Sequence, residues 1–233
     1  MSDFVGITTP LYERLIHSKK HILIAGCTGS GKSTLLDALM NGITLEDLDK
    51  HKMILIDMKM VELSKFENTV HCMTCATDEA SAERTLNGVI KMIRARFTDM
   101  KERGLTQYDG STVHLIIDEL ADLVLTNKKV VPLLQRICQL GRAANIQVIV
   151  ATQCPLASVI PTKIKVNFPI VIGLHTVTAQ HSRNILDVNG CEDLPMFGEA
   201  LIRFPGYDVE RVTIVKIPDD KLEAAILADR KEE

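Results

Sequence analysis

One octapeptide limits this chain more than any other feature. Gly26-Cys27-Thr28-Gly29-Ser30-Gly31-Lys32-Ser33 satisfies G-x-x-x-x-G-K-[ST], the pattern of a phosphate-cradling loop. The flanks suit it: His21 to Ala25 reads as a short buried strand, and Thr34 to Met40 reads as a helix. A Gly-permissive turn between strand and helix points backbone N–H groups at one spot, where the helix N-terminus favours an anion. The reading assigns Gly26, Cys27, Thr28, Gly29, Ser30, Gly31, Lys32, Ser33 and Thr34 to ATP or GTP. Lys32 reaches the β/γ oxygens, and the Ser33 hydroxyl ligates Mg²⁺.

The chain has 233 residues, 46% of them hydrophobic and 24% charged, enough for one well-filled α/β domain and marginal for two. We therefore expect one domain over 1–233, with 1–19 as an N-terminal lead-in and 218–233 as a C-terminal helix and tail. Residues 1–9 and 229–233 read as weakly structured. No apolar run approaches the roughly 20 residues of a membrane span, and Met1-Ser2-Asp3-Phe4 lacks a signal-peptide pattern. Together with six scattered Cys, this predicts a cytoplasmic protein with reduced thiols. Cys72 and Cys75 beside His71 form the one pair to weigh as a zinc or redox motif. Without a second ligand pair they read as ordinary thiols.

A net charge of −3 excludes a wholly basic nucleic-acid binder, and 4% aromatics make a base-stacking platform a poor expectation. Any DNA contact has to come from a local patch.

Further strands are predicted at 53–57, 113–119, 146–151 and 169–174, each built on an apolar run, with two closing strands at 200–204 and 211–215. A long helix runs from an Asp78 cap to Arg103, closed by Gly104, with Leu86, Val89, Ile90, Ile93 and Phe97 inward. A second runs from Val130 to Arg142, with Leu133, Leu134, Ile137 and Leu140 inward and Pro132 in its first turn. Arg94, Arg96, Lys101 and Arg103 read as a solvated or subunit-contacting face. Alternating strands and helices mean a mostly parallel sheet with helices on both faces. Ligands then sit at the carboxyl ends of the strands, where Gly26, Asp118 and Gln153 fall.

Asp118-Glu119 ends an apolar strand about 85 residues after the phosphate loop. In that setting Asp118 holds Mg²⁺, and Glu119 polarises the water that attacks the γ-phosphate. Thr152-Gln153, past the next strand, is placed to sense that phosphate.

Here the sequence resembles a family. Leu23 to Ser33, Ile56-Asp57-Met58-Lys59-Met60-Val61-Glu62-Leu63-Ser64, Ile117 to Leu123, Gly141-Arg142-Ala143-Ala144-Asn145-Ile146, Ala151 to Pro155 and Ser182 to Asp187 look like the motor domain of the FtsK/SpoIIIE DNA translocases. The blocks keep the family's order over roughly residues 20–215. The resemblance implies a RecA-like P-loop fold and a ring, hexameric in the family, that pumps double-stranded DNA with ATP and Mg²⁺. It implies catalytic roles for Lys32, Glu119 and Gln153, and for Arg142 as a finger reaching a neighbouring subunit's γ-phosphate. It also implies DNA contacts for Lys163, Lys165 and Arg183, where cations on phosphates suit a pump that must hold any sequence. Read by residue type alone, Arg142 is a cation complementing a helix C-terminus, and the two lysines are plain surface charges. Three positions depart from the family's pattern: Met58 for Pro, Cys154 for Arg and Ala179 for Lys. Membrane-bound or mobile-element partner proteins are compatible with this reading. So is a second function, a coupling ATPase of a conjugation or protein-secretion system acting on a protein.

Overall fold

The computed structural model describes residues 6–153 and 162–231. Its frame is an eight-stranded sheet in the order β3-β2-β4-β5-β1-β6-β7-β8. In chain order these are β1 Ile22–Ala25, β2 His51–Ile56, β3 Cys72–Ala76, β4 Thr112–Ile117, β5 Ile146–Thr152, β6 Ile170–Gly173, β7 Glu199–Arg203 and β8 Glu210–Thr213. Pairing is parallel from β3 through β6, and β7 and β8 close the sheet in antiparallel fashion. The helices are α1 Thr9–Ile16, α2 Lys32–Thr44, α3 Glu79–Arg103, α4 Leu120–Thr126, α5 Val130–Leu140, α6 Thr162–Lys165, α7 Ala179–Leu186 and α8 Asp219–Ala228.

The central strands β1, β4, β5 and β6 are buried along their whole length because each feeds two cores. Alternate residues of β1 show it. Leu23 joins the layer of α3, α4 and α5 (Leu86, Leu123, Ile137), while Ile22 and Ile24 join that of α1, α2 and α8 (Leu15, Leu39, Leu222). The α3 helix starts in a capping box between Asp78 and Ser81 and ends on Gly104 at φ +67°. Pro132 lies in the first turn of α5, where its missing N–H costs nothing.

Three expectations need correction. The stretch read as weakly structured ends before residue 9: Ile7 is buried, and a helix over Thr9–Ile16 buries Leu11, Tyr12, Leu15 and Ile16. The C-terminal tail is pinned at its start, since buried Asp229 pairs with His71 Nδ1 at 2.7 Å. Arg96 is no surface charge: it is 8% exposed, donates to the Ala144 carbonyl at 2.7 Å and that of Asn145 at 3.1 Å, and stacks on Tyr108. Arg103 does lie on the solvated face, paired with Asp99 and Asp109. An edge strand at Cys72–Ala76 was not expected at all. Its two thiols stay protonated, Cys72 pushed up to about 11 and Cys75 to about 12, burial being the main cause in each case. Neither belongs to a metal-ligating cluster among the described residues. Residues 1–5, Cys154, Pro155 and the last two residues lie outside the described residues.

Candidate active site

Four strand ends converge at the carboxyl edge of the sheet. Residues 26–31 leave β1 and wrap back to α2, with Gly29 at φ +78° and Gly31 at φ +93°. A side chain at either would be strained. No side chain caps α2, so its first-turn N–H groups face outward at the loop. Gly26 is packed from within: an added Cβ would fall 2.6 Å from Ser30 Oγ and 2.7 Å from Leu174 Cβ. Ser30 Oγ is itself buried without a hydrogen-bond partner. Lys32 Nζ donates to the Gly26 carbonyl at 2.9 Å and to that of Cys27 at 2.8 Å. Burial lowers its pKa against the pull of Glu119.

Glu119 follows β4 and is 6% exposed. Its carboxylate accepts from Thr152 Oγ1 at 2.8 Å, from the Ala121 N–H at 3.2 Å and from the Gln153 N–H at 3.0 Å. The end of β5 thus aims it. Gln153 in turn accepts from Thr28 Oγ1 at 2.5 Å, which joins the strand that aims Glu119 to the phosphate loop. Asp118 is pushed up to about 6, first by burial and then by Asp57, Glu62 and Glu119, with Lys59 opposing. A carboxylate so crowded by its own charge sign is a place for a cation.

The D-x-K-x-V-E-L-S block has a physical explanation here. Fully buried Asp57 ends β2, and its carboxylate accepts from the N–H groups of Lys59 at 3.2 Å, Leu63 at 2.9 Å and Ser64 at 3.1 Å. That grip folds residues 57–64 into a tight excursion, with Met60 at φ +54°, and brings Lys59 and Glu62 to the site. Lys59 is held there by Asp122 at 3.1 Å.

These groups border one open cavity of about 600 Å³. Lys32, Ser33, Asp118, Glu119 and Gln153 line it, as the sequence predicted. So do Lys59, Glu62, Phe197, Ile214 and Lys216, to which sequence reasoning gave no role. Lys59 and Glu62 belong to a motif that is plain in the sequence, but their place at the site follows from the grip of Asp57 on Leu63 and Ser64. Phe197, Ile214 and Lys216 carry no local signal; the pairing of β7 with β8 brings them over the loop.

The other predicted residues lie elsewhere. Arg142 is exposed in the turn between α5 and β5, at the amino edge of the sheet, so it does not meet its own chain's phosphate loop. Lys163 is exposed on α6. Lys165 is engaged internally, donating to the Asn184 carbonyl at 2.8 Å and to Asp187 at 3.2 Å. Arg183, exposed on α7, donates to Asn189 and Gln180.

A parallel sheet with a glycine-rich loop opening α2 and an acid pair after a neighbouring strand defines a P-loop ATPase of the RecA-like class. The profile of the FtsK/SpoIIIE family matches residues 3–114. The DNA translocase FtsK of Leptospira interrogans is 32% identical over 232 residues, covering 91% of this chain and 24% of that protein. The DNA translocase FtsK of Caldanaerobacter subterraneus is 36% identical over 220 residues, covering 88% and 31%. The chain belongs to the FtsK/SpoIIIE family. It spans about a quarter of the length of the curated relatives it matches. The fold is also that of the pCW3 conjugation coupling protein TcpA, solved as a monomer with ATPγS: TM-score 0.79, 24% identity, covering 91% of this chain and 65% of that one. No helix among the described residues is long and apolar enough to cross a membrane.

Proposed function

We propose that this chain is the ATP-hydrolysing motor of a double-stranded DNA translocase, working in the cytoplasm as a ring, hexameric as the family resemblance implies. The observation that carries the reading is the hold on Glu119, whose carboxylate is fixed by Thr152, Ala121 and Gln153 beside the phosphate loop. Glu119 takes a proton from the attacking water as it approaches the γ-phosphate. Gln153 orients that water, and its contact with Thr28 couples its position to the loop. Lys32 balances charge on the β- and γ-oxygens.

The residues suit Mg²⁺, since Asp118 is half-buried among the carboxylates of Asp57, Glu62 and Glu119, a setting that a divalent ion relieves. Ser33 and Asp118 would hold it, and when bound it supplies neutralisation of phosphate charge. Arg142, remote from its own site, acts on a neighbouring copy's γ-phosphate, so hydrolysis depends on assembly. Lys163 and Arg183 meet DNA phosphates. Lys165 joins them only after leaving Asp187.

ATP turnover measured with and without random-sequence duplex tests this. Strong stimulation is expected, fading with salt as about 0.9 counterions are released per phosphate contact. Replacing Lys163 and Arg183 with Ala should flatten that salt slope. Turnover indifferent to duplex would overturn the reading in favour of a coupling ATPase for a protein.

A further inference from the structure

The amino ends of the strands hold a group of side chains that nucleotide chemistry does not use. His17 follows α1, Glu46 follows α2, and His51 opens β2. One ligand atom from each lies within 4.8 Å of the others. His17 Nε2 and Glu46 Oε1 are 2.7 Å apart.

Behind them runs a hydrogen-bond chain whose direction follows atom by atom. The Gln147 amide donates through Nε2 to the carbonyls of Leu15 and Lys20, each at 2.7 Å. Its Oε1 is therefore an acceptor, and His114 Nδ1, 2.8 Å away, carries a proton. His114 is fully buried with no carboxylate among its hydrogen-bond partners, so a second proton on it would leave an uncompensated interior charge. Its Nε2 accepts, and His51 Nδ1 donates to it across 3.0 Å. The neutral His51 ring is left with its lone pair on Nε2. A metal-binding imidazole is prepared in this way, one nitrogen donating to an outer partner while the other is free to ligate. Packing steadies the rings as well: His51 stacks on His114 at 5.2 Å, and Tyr12 meets His17 edge-on at 5.9 Å. Lys19, the cation whose field reaches this group, is turned onto Asn145 Oδ1 at 3.0 Å.

We propose that His17, Glu46 and His51 form a binding site for a divalent transition metal of the zinc class, with the remaining position open to water. Two imidazoles and one carboxylate suit Zn²⁺, Co²⁺ or Ni²⁺, whereas Mg²⁺ and Ca²⁺ prefer oxygen alone. A tetrahedral ion with bonds of about 2.0–2.2 Å needs ligand atoms roughly 3.3–3.5 Å apart. The cluster closes to that by turning His17, which is exposed, and the ion then replaces the hydrogen bond between His17 and Glu46. The bound metal ties α1 to β2 and to the far end of α2, the helix that begins at Lys32. It braces the phosphate-binding helix from the end opposite the nucleotide.

The full chain, stripped with a chelator and titrated with Co²⁺ as a spectroscopic probe, tests the site. One equivalent should give the intense visible absorption of four-coordinate Co²⁺, displaced by Zn²⁺ and unaffected by excess Mg²⁺. His17→Ala, at an exposed helix end, should fold normally and weaken Co²⁺ binding by more than the roughly 10–100-fold expected for the outer partner variant His114→Asn. Zn²⁺ should raise the melting temperature of wild type and not of His17→Ala. Equal affinity in wild type and His17→Ala, displacement by Mg²⁺, or only the faint spectrum of six-coordinate Co²⁺ would overturn the proposal.

Discussion

At the carboxyl ends of β2 and β4, Asp57, Asp118 and Glu119 crowd together with Glu62, and Asp118 rises to about 6, first through burial and then through these like charges. At the amino ends, the buried His21, Gln147 and His114 are matched instead. His21 ahead of β1 accepts from the Val148 N–H at 3.0 Å, and its Nε2 lies 2.9 Å from the Cys138 carbonyl to which it donates. Gln147 makes both its donations, and His114 both its contacts. The same sheet thus leaves electrostatic strain at one end and removes it from the other. Strained, like-charged groups are tolerated where a bound cation and phosphate can relieve them. Elsewhere they would only cost stability.

The largest effect should come from breaking the aim of the strained end. Glu119→Gln keeps an oxygen that can accept from Thr152 and the Gln153 N–H but loses the base. ATP turnover should fall about 10²–10⁴-fold while nucleotide binding persists, as equilibrium titration and single-turnover kinetics will show. Near-normal turnover would remove Glu119 from the chemistry.

The matched end is probed by acid. Burial lowers His21 to about 4 from its ordinary 6.5. The unfolded chain therefore binds more protons between those values, and stability falls as pH drops from 6.5 towards 4. Urea denaturation across that window should show a loss approaching about 3 kcal/mol from this residue. His21→Gln should flatten the pH dependence, and an unchanged slope would show that the ring is not held neutral.

A smaller change of opposite sign is expected on relieving the strain directly. Asp118→Asn removes one charge from the crowded end, so nucleotide-free protein should melt at a slightly higher temperature at pH 7.5. The same variant should lose the additional thermal shift that Mg²⁺ gives on top of ATP. A lower melting temperature without nucleotide would mean that Asp118 is satisfied there.

Local pattern made the phosphate loop, the long capped helix and the central strands legible, because each rests on residues adjacent in the chain. The glycines of 26–31, the Asp78–Ser81 cap and the run from Val113 to Ile117 are such cases. Asp118-Glu119 was readable for the same reason, as a strand ending in acids. The roles of Lys59 and Glu62 were not, although their motif was plain, because they depend on Asp57 turning back to grip Leu63 and Ser64. Arg96 misled the pattern: charge at a regular helical position looks solvated until Tyr108 and the Ala144 carbonyl close over it.

By itself, then, the sequence determined the chemistry of the loop, the class of sheet and the family, all properties of contiguous residues and their spacing. Only the tertiary structure decided which distant groups meet. It set Thr28 against Gln153, brought Phe197 and Lys216 over the loop, joined His71 to Asp229 and gathered His17, Glu46 and His51. Such pairings depend on strand order and on which face of a strand each side chain takes. Neither is written in any short stretch of chain.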